Sequence, residues 1–237
     1  MIDKRVPNAE DALRDLKEGS SILVGGFGVS GMPEHLLRAL LQKGTKGLTL
    51  ISNNPGTDQH GIAPLMKAGM VRKMILSYGG FSKTFEEISL KGSVELEWVP
   101  QGTLAERIRA GGAGVGGFYT PTGYGTMVAE GKETRQFDGK WQILELPIRA
   151  DFSLIKAFRG DPYGNLLFRK TARNFNQVMA TAGRTVLAEV EELVELGAIP
   201  PDQVHTPGLY VDRIFQGDAY EKPIEIRTTR PRAAVRG

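Results

Sequence analysis

No cysteine occurs in this chain of 237 residues. Disulfides, thiolate metal sites and a cysteine nucleophile are therefore excluded outright. Histidine is nearly as scarce: His35, His60 and His205 are the only three, and no two of them stand at a metal-ligand spacing. No metal is expected. No apolar run approaches the roughly 20 residues that a membrane span requires. The opening stretch, MIDKRVPNAEDALRDL, is polar and acidic and lacks the apolar core of a signal peptide. The expectation is a cytoplasmic protein with no membrane partner. An excess of one charge is also missing from the body of the chain. Between Glu221 and Gly237, five basic residues (Lys222, Arg227, Arg230, Arg232, Arg236) against two acidic ones (Glu221, Glu225) supply the whole formal charge of +3. Nucleic-acid binding would need a basic face on the folded body, so the basic tail reads as solvated and no nucleic-acid partner is expected.

What is abundant is glycine. Thirty glycines among 237 residues is well above the usual share of roughly 7%, and they gather in loops rather than in a repeat. Apolar content of 41% with 24% charged residues is that of an ordinary soluble globular chain. The length suffices for a proper core. Ala9 to Glu18 has helical periodicity ending at Gly19. Ser21 to Val24 reads as a short buried strand. Pro33 to Gln42 reads as a helix with Leu36, Leu37, Leu40 and Leu41 on one face and Gly44 after its end. Further strands are expected at Leu48 to Ser52, within Met70 to Tyr78, and at Glu95 to Val99, with a helix from Thr103 to Ala110. This alternation predicts an α/β fold with a mainly parallel sheet flanked by helices. In such sheets ligands bind beyond the carboxyl ends of the strands, which is where GGFG, SNNPG, SYGG and PQG fall.

The second half predicts a mixed, more antiparallel arrangement. Met127 to Arg149 alternates, with Asp138-Gly139 as a hairpin turn. Asp161-Pro162-Tyr163-Gly164 is a second turn, between Phe152–Phe158 and Leu166–Phe168. Ala172 to Ala182 reads as helix and Thr185 to Val190 as strand. No linker divides the halves, so one domain over 1–226 and a basic tail over 227–237 are expected. Gly111 to Thr126, with seven glycines and three aromatics, reads as a long ordered loop of functional or interface use.

The loop Gly25 to Gly31 contains Gly26-x-Gly28-x-x-Gly31, the spacing of a dinucleotide-binding turn. A Rossmann site also needs a carboxylate about 20 residues on, and here the second strand ends Ser52-Asn53-Asn54-Pro55. A nicotinamide oxidoreductase thus remains only a remote alternative. With Pro33 as first helical residue and Met32 as an N-cap without a side-chain acceptor, the helix end suits an anionic ligand. Ser30 as cap would remove that site. A tight turn whose glycines merely permit close packing is the other reading.

Taken together, VGGFGVSGMPE, ISNNPG, VPQGTLAERIRAGGAG, FYTPTGYGT and FRKTARNFN resemble the A (alpha) subunits of type I CoA-transferases over about Val6 to Ile226. The likeness is strongest to the branch that moves CoA from succinyl-CoA to a 3-oxoacid such as acetoacetate. YEKPIE fits that branch, while SNNPG and AEGKETR also fit the 3-oxoadipate branch. An acetate/butyrate-type enzyme is a further alternative. Two positions depart from the pattern. Glu18 stands where the family usually has Asp or Asn. Ser77-Tyr78-Gly79-Gly80-Phe81-Ser82 replaces the SYVGEN of many ketoacid transferases. The resemblance implies the CoA-transferase alpha-subunit fold, acyl-CoA as substrate with no permanent cofactor, and a separate B (beta) chain as partner in an A2B2 heterotetramer. It also implies a glutamyl-CoA thioester, formed on a glutamate of that partner within Ser-Glu-Asn-Gly. That motif is absent here, so the nucleophile is not expected in this chain.

The resemblance assigns Gln101 as a neutral donor to the reacting carbonyl oxygen. Asn53 and Asn54 line the same pocket, with Gly102 beside Gln101. Gly25, Gly26, Phe27, Gly28, Val29, Ser30 and Gly31 form the CoA-contacting segment. On residue type alone, without the resemblance, Gln101 reads first as a loop amide satisfying backbone groups. Glu130, Glu133 and Glu145 lie in hairpin-like segments and are expected to be solvated. Arg107 and Arg109, two apart, cannot share a helix face and are expected to make structural ion pairs. His60 is assigned no role.

Overall fold

The computed structural model describes residues 2–223; the tail assigned to 227–237 lies outside them. A first helical turn, α1 (Ala9–Ala12), is capped by Asn8, whose side chain accepts the Asp11 N–H at 2.8 Å. The sequence predicts helix as far as Glu18, but the structure ends it early. Arg213 donates to the Ala12 carbonyl at 2.7 Å and Lys43 to the Leu13 carbonyl at 3.2 Å. These donors free the segment to turn and bury both Leu13 and Leu16.

The chain then winds through β1 (Ser21–Val24), α2 (Glu34–Lys43), β2 (Leu48–Ile51), α3 (Ala63–Lys67), β3 (Val71–Leu76), α4 (Lys83–Lys91), β4 (Glu95–Trp98) and α5 (Gln101–Ala113). A three-stranded antiparallel sheet follows, from β5 (Phe118–Thr120), β6 (Thr134–Phe137) and β7 (Lys140–Glu145), in the order β5-β7-β6. Its hairpin turns on Asp138 and Gly139, both with positive φ (46° and 73°), the conformation of a type I′ turn. The chain returns to the main sheet with β8 (Ala150–Gly160), β9 (Leu166–Leu167), α6 (Asn174–Met179), β10 (Gly183–Leu193) and β11 (Arg213–Gln216).

The main sheet runs β11-β10-β8-β1-β2-β3-β4, all parallel, with β9 alone hooked antiparallel onto β8. The antiparallel character expected of the second half is thus confined to the small sheet and β9. The physical reason is burial: Phe152 to Ala157 of β8 and Val186 to Val190 of β10 are buried residue after residue, the pattern of strands covered on both faces.

Side-chain alternation divides the interior into two cores. Ile22, Val24, Leu50, Met74, Leu76 and Leu154 point to the face covered by α1–α4. Leu23, Ile51, Ile75 and Ile155 point to the face covered by α5 and α6. The strand order reverses at β1, which pairs with β2 on one side and β8 on the other. That reversal is the topological switch point where open α/β sheets bind ligands, and the glycine loop leaves β1 there. Among the described residues, no helix is long and apolar enough to cross a membrane.

Candidate functional site

Gly25–Gly31, Ser52–Gly56, Ser77–Gly80 and Pro100–Gly102 each follow a strand of the parallel sheet (β1, β2, β3 and β4) on one rim. They are hung from one another. The N–H groups of Ser77 and Tyr78 both donate to the Asn53 carbonyl at 3.1 Å. Ser82 caps α4, accepting the Phe85 N–H at 3.1 Å, and donates to Asp58 at 2.7 Å, tying the third loop to the second. Hydrogen bonds from the Thr84 N–H and the Ser82 hydroxyl hold the Asp58 carboxyl below its ordinary range.

A chain of uncharged amides runs through these loops. Gln101 Nε2 donates to Asn53 Oδ1 at 2.7 Å, Asn53 Nδ2 to Asn54 Oδ1 at 3.1 Å, and Asn54 Nδ2 to the Gly28 carbonyl at 3.2 Å. Asn54 Oδ1 also accepts the Gly28 N–H at 2.8 Å. Asn53 and Asn54 are buried, whereas Gln101, the first residue of α5, is exposed. A primary amide has two N–H donors, so Gln101 can hold Asn53 with one and offer the other outward. The structure brings together Gln101, Asn53, Asn54 and Gly28; Gly102 sits beside them with open space over its Cα.

The rest of the glycine loop is packed from below. Gly25, Gly26, Gly28, Val29 and Gly31 are buried; Phe27 and Ser30, which bond each other's backbone at 3.0 Å, are exposed. A Cβ on Gly25 would overlap Asn176 Oδ1, and one on Gly31 would stand 2.7 Å from the Ala172 carbonyl. The loop's accessible surface is therefore Phe27, Ser30 and the edges of its backbone. On its far flank, Val29, Ser30 and Gly31 wall a cleft of about 470 Å³. In it Lys156, Arg169 and Lys222 approach Glu191 at 3.4, 2.8 and 3.0 Å. Burial raises the Glu191 carboxyl, but the three cations outweigh burial and hold it below the ordinary range.

The helix end behind the loop is not open to a ligand anion. Pro33, not Met32, is the N-cap, and Ser30 does not cap the helix; instead the fully buried Glu189 accepts the Leu36 N–H at 2.9 Å. A carboxylate of the protein already occupies the position favoured by the helix dipole. The same arrangement, with Gly28 committed to Asn54, leaves no pyrophosphate cradle of the dinucleotide kind.

Other assignments also change. Glu145 is buried, not solvated: Lys132 meets it at 2.6 Å and Arg107 at 3.7 Å. Glu130 and Glu133 are exposed. Arg107 also bonds Glu97 at 2.9 Å and the Leu146 carbonyl at 2.8 Å, while Arg109 pairs with Glu106 at 2.6 Å. Both arginines are thus structural. Gly111 to Ala113 end α5 and Phe118 to Thr120 form β5, so the glycine-rich stretch is less irregular than the sequence suggests. His60 contributes its backbone to a turn with Thr57 at 2.9 Å. Sequence reasoning missed Asn174, Asn176 and Glu189. FRKTARNFN is visible as a motif, but nothing local says that its asparagines reach the glycine loop.

Comparison with known proteins gives a consistent picture. The model of the coenzyme A transferase family matches residues 6–217. The A subunit of the succinyl-CoA:3-ketoacid coenzyme A transferase of Xanthomonas campestris pv. campestris (strain B100) is 58% identical over 228 residues, which cover 96% of this chain and 94% of that one. The A subunit of the 3-oxoadipate CoA-transferase of Pseudomonas putida is 50% identical over 216 residues, covering 90% of this chain and 94% of that one. Among solved structures, the acyl-CoA transferase of E. coli O157:H7 in a thioester complex with CoA superposes with a TM-score of 0.80 at 23% identity. That alignment covers 91% of this chain and 47% of the E. coli protein, so this chain spans about half its length.

Proposed function

Since the chain belongs to the coenzyme A transferase family, we propose that it is the alpha chain of an enzyme that moves coenzyme A from succinyl-CoA to a 3-oxoacid such as acetoacetate. Its substrate is acyl-CoA, it holds no permanent cofactor, and it works with a beta chain in a two-alpha, two-beta assembly. The relatives' names, each giving one subunit of an enzyme, support the need for a partner.

One observation carries the reading: the chain from Gln101 through Asn53 and Asn54 to Gly28 is built wholly of neutral groups and contains no nucleophile. A partner glutamate attacks the donor thioester, releasing CoA thiolate and forming a mixed anhydride. The thiolate then attacks the glutamyl carbonyl, expels the donor carboxylate and leaves a glutamyl-CoA thioester. The acceptor carboxylate reverses both steps. Each attack builds negative charge on a carbonyl oxygen, which one preorganised donor stabilises by about 3 kcal/mol. The free N–H of Gln101 is that donor. An amide suits the place because a cation there would lower the nucleophilicity of the incoming carboxylate. Phe27 and Ser30 carry the loop's contact with CoA.

The Ser77–Ser82 rim, taken as the acceptor side, presents aromatic surface. Tyr78 and Phe81 are exposed and meet edge to face at 6.2 Å, and residues 77–82 contain no cation. Lys83, one residue on, lines the same pocket as Phe81, so the preference for acetoacetate over 3-oxoadipate rests on the likeness to the succinyl-CoA:3-ketoacid relatives. The test is to co-purify the chain with a beta-chain partner carrying Ser-Glu-Asn-Gly and assay transfer to acetoacetate and to 3-oxoadipate, with the isolated chain as control. The expected result is turnover by the pair, preferring acetoacetate, and none by the chain alone. Turnover by the isolated chain overturns the partner-borne nucleophile, and a strong preference for 3-oxoadipate overturns the acceptor assignment.

A further inference from the structure

The asparagines of FRKTARNFN have no part in the reading above, yet they hold the glycine loop. Asn176 is fully buried; its Nδ2 donates to the Gly31 carbonyl at 2.9 Å and the Ala172 carbonyl at 3.0 Å. Its Oδ1 accepts the Lys156 N–H of β8 at 2.9 Å. One side chain thus joins the loop after β1 to the neighbouring strand across the switch point. Asn174 donates to the carbonyls of Ser30 and Thr171, each at 2.9 Å. From the opposite side Asn54 holds Gly28. The carbonyls of Gly28, Ser30 and Gly31 therefore each end on a different asparagine amide.

A loop this rich in glycine has many backbone conformations available, and fixing each residue costs about 1–2 kcal/mol of entropy. External bonds must select one. Displacing a reacting group by about 1 Å can cost 10²-fold in rate. We infer that Asn174 and Asn176 are positioning residues of the transfer reaction, setting the glycine-loop backbone from the side opposite Asn54 without touching substrate. The inference rests on the CoA-transfer reading.

The test uses the reconstituted complex carrying Asn174→Ala or Asn174→Asp, both of which remove the donors. Asn165→Ala serves as control. It breaks bonds of 2.8 Å to Asp161 and to the Gly208 N–H, in a turn remote from the loop. Both Asn174 variants are expected to lose about tenfold or more in kcat with KM for acyl-CoA changed less than about threefold. Amide exchange across Phe27–Gly31 should quicken. The control should lower Tm and leave kcat unchanged. An Asn174→Ala kcat within about twofold of wild type overturns the inference alone, as does unchanged loop exchange. A wild-type complex that transfers no CoA overturns the functional reading and this inference with it.

Discussion

Asn54 closes on Gly28 in both directions, accepting its N–H at 2.8 Å and donating to its carbonyl at 3.2 Å, 26 residues apart in sequence. The pair joins the loop after β1 to the loop after β2 without a charge. Both groups of Gly28 are buried there. Removing the amide strands them, at about 1–3 kcal/mol for each unsatisfied group. Asn54→Ala should lower unfolding stability by about 2–6 kcal/mol in total in denaturant titration. A loss below about 0.5 kcal/mol would mean that water replaces the amide at no cost.

Two glycines of the site should respond oppositely to alanine. Gly25→Ala drives a Cβ into Asn176 Oδ1 and should destabilise the chain by about 1–3 kcal/mol, as overpacking does. Gly102, in α5, meets nothing within 4 Å of a built Cβ. Its alanine variant should melt no lower than wild type, because glycine disfavours helix by up to about 1 kcal/mol. Any loss of transfer rate in folded Gly102→Ala then reports a contact with substrate or partner, and Tm with kcat on the same preparations separates the two effects.

Much of this arrangement is legible in the sequence. Strands β1 to β4 and the helix carrying Leu36, Leu37 and Leu40 follow from apolar pattern and terminal glycines. The Asp138-Gly139 hairpin follows from local turn chemistry. Two helices escape the apolar pattern, although Ser82 and Gly92 mark the ends of α4 in retrospect. The parallel pairing of β8 with β1 and β10 is a long-range choice that no local pattern encodes. Glu189 is the sharpest case. A carboxylate within an apolar strand has no evident reason until its partner, the Leu36 N–H, appears 153 residues away. Of the site, residue types were readable through family motifs, but the amide-to-amide order was not.

Acid stability should carry the mark of Glu34. Burial raises its carboxyl above the ordinary 4.5. The folded protein therefore holds that proton more tightly than the unfolded chain. The group costs no stability below the ordinary value and costs progressively more as pH rises through the raised one. Glu34→Gln should raise Tm at pH 7 and leave it unchanged near pH 4. An equal gain at both values would show that the effect is not titration.

The central claim is that this chain supplies a neutral cradle for an acyl group attacked by a partner's carboxylate, with Gln101 as its outward donor. The direct measurement is kcat for CoA transfer from succinyl-CoA to acetoacetate by the reconstituted pair carrying Gln101→Ala, with assembly and Tm matched to wild type. The account predicts a fall of about 10²–10³-fold. A kcat equal to that of the wild-type pair would contradict it.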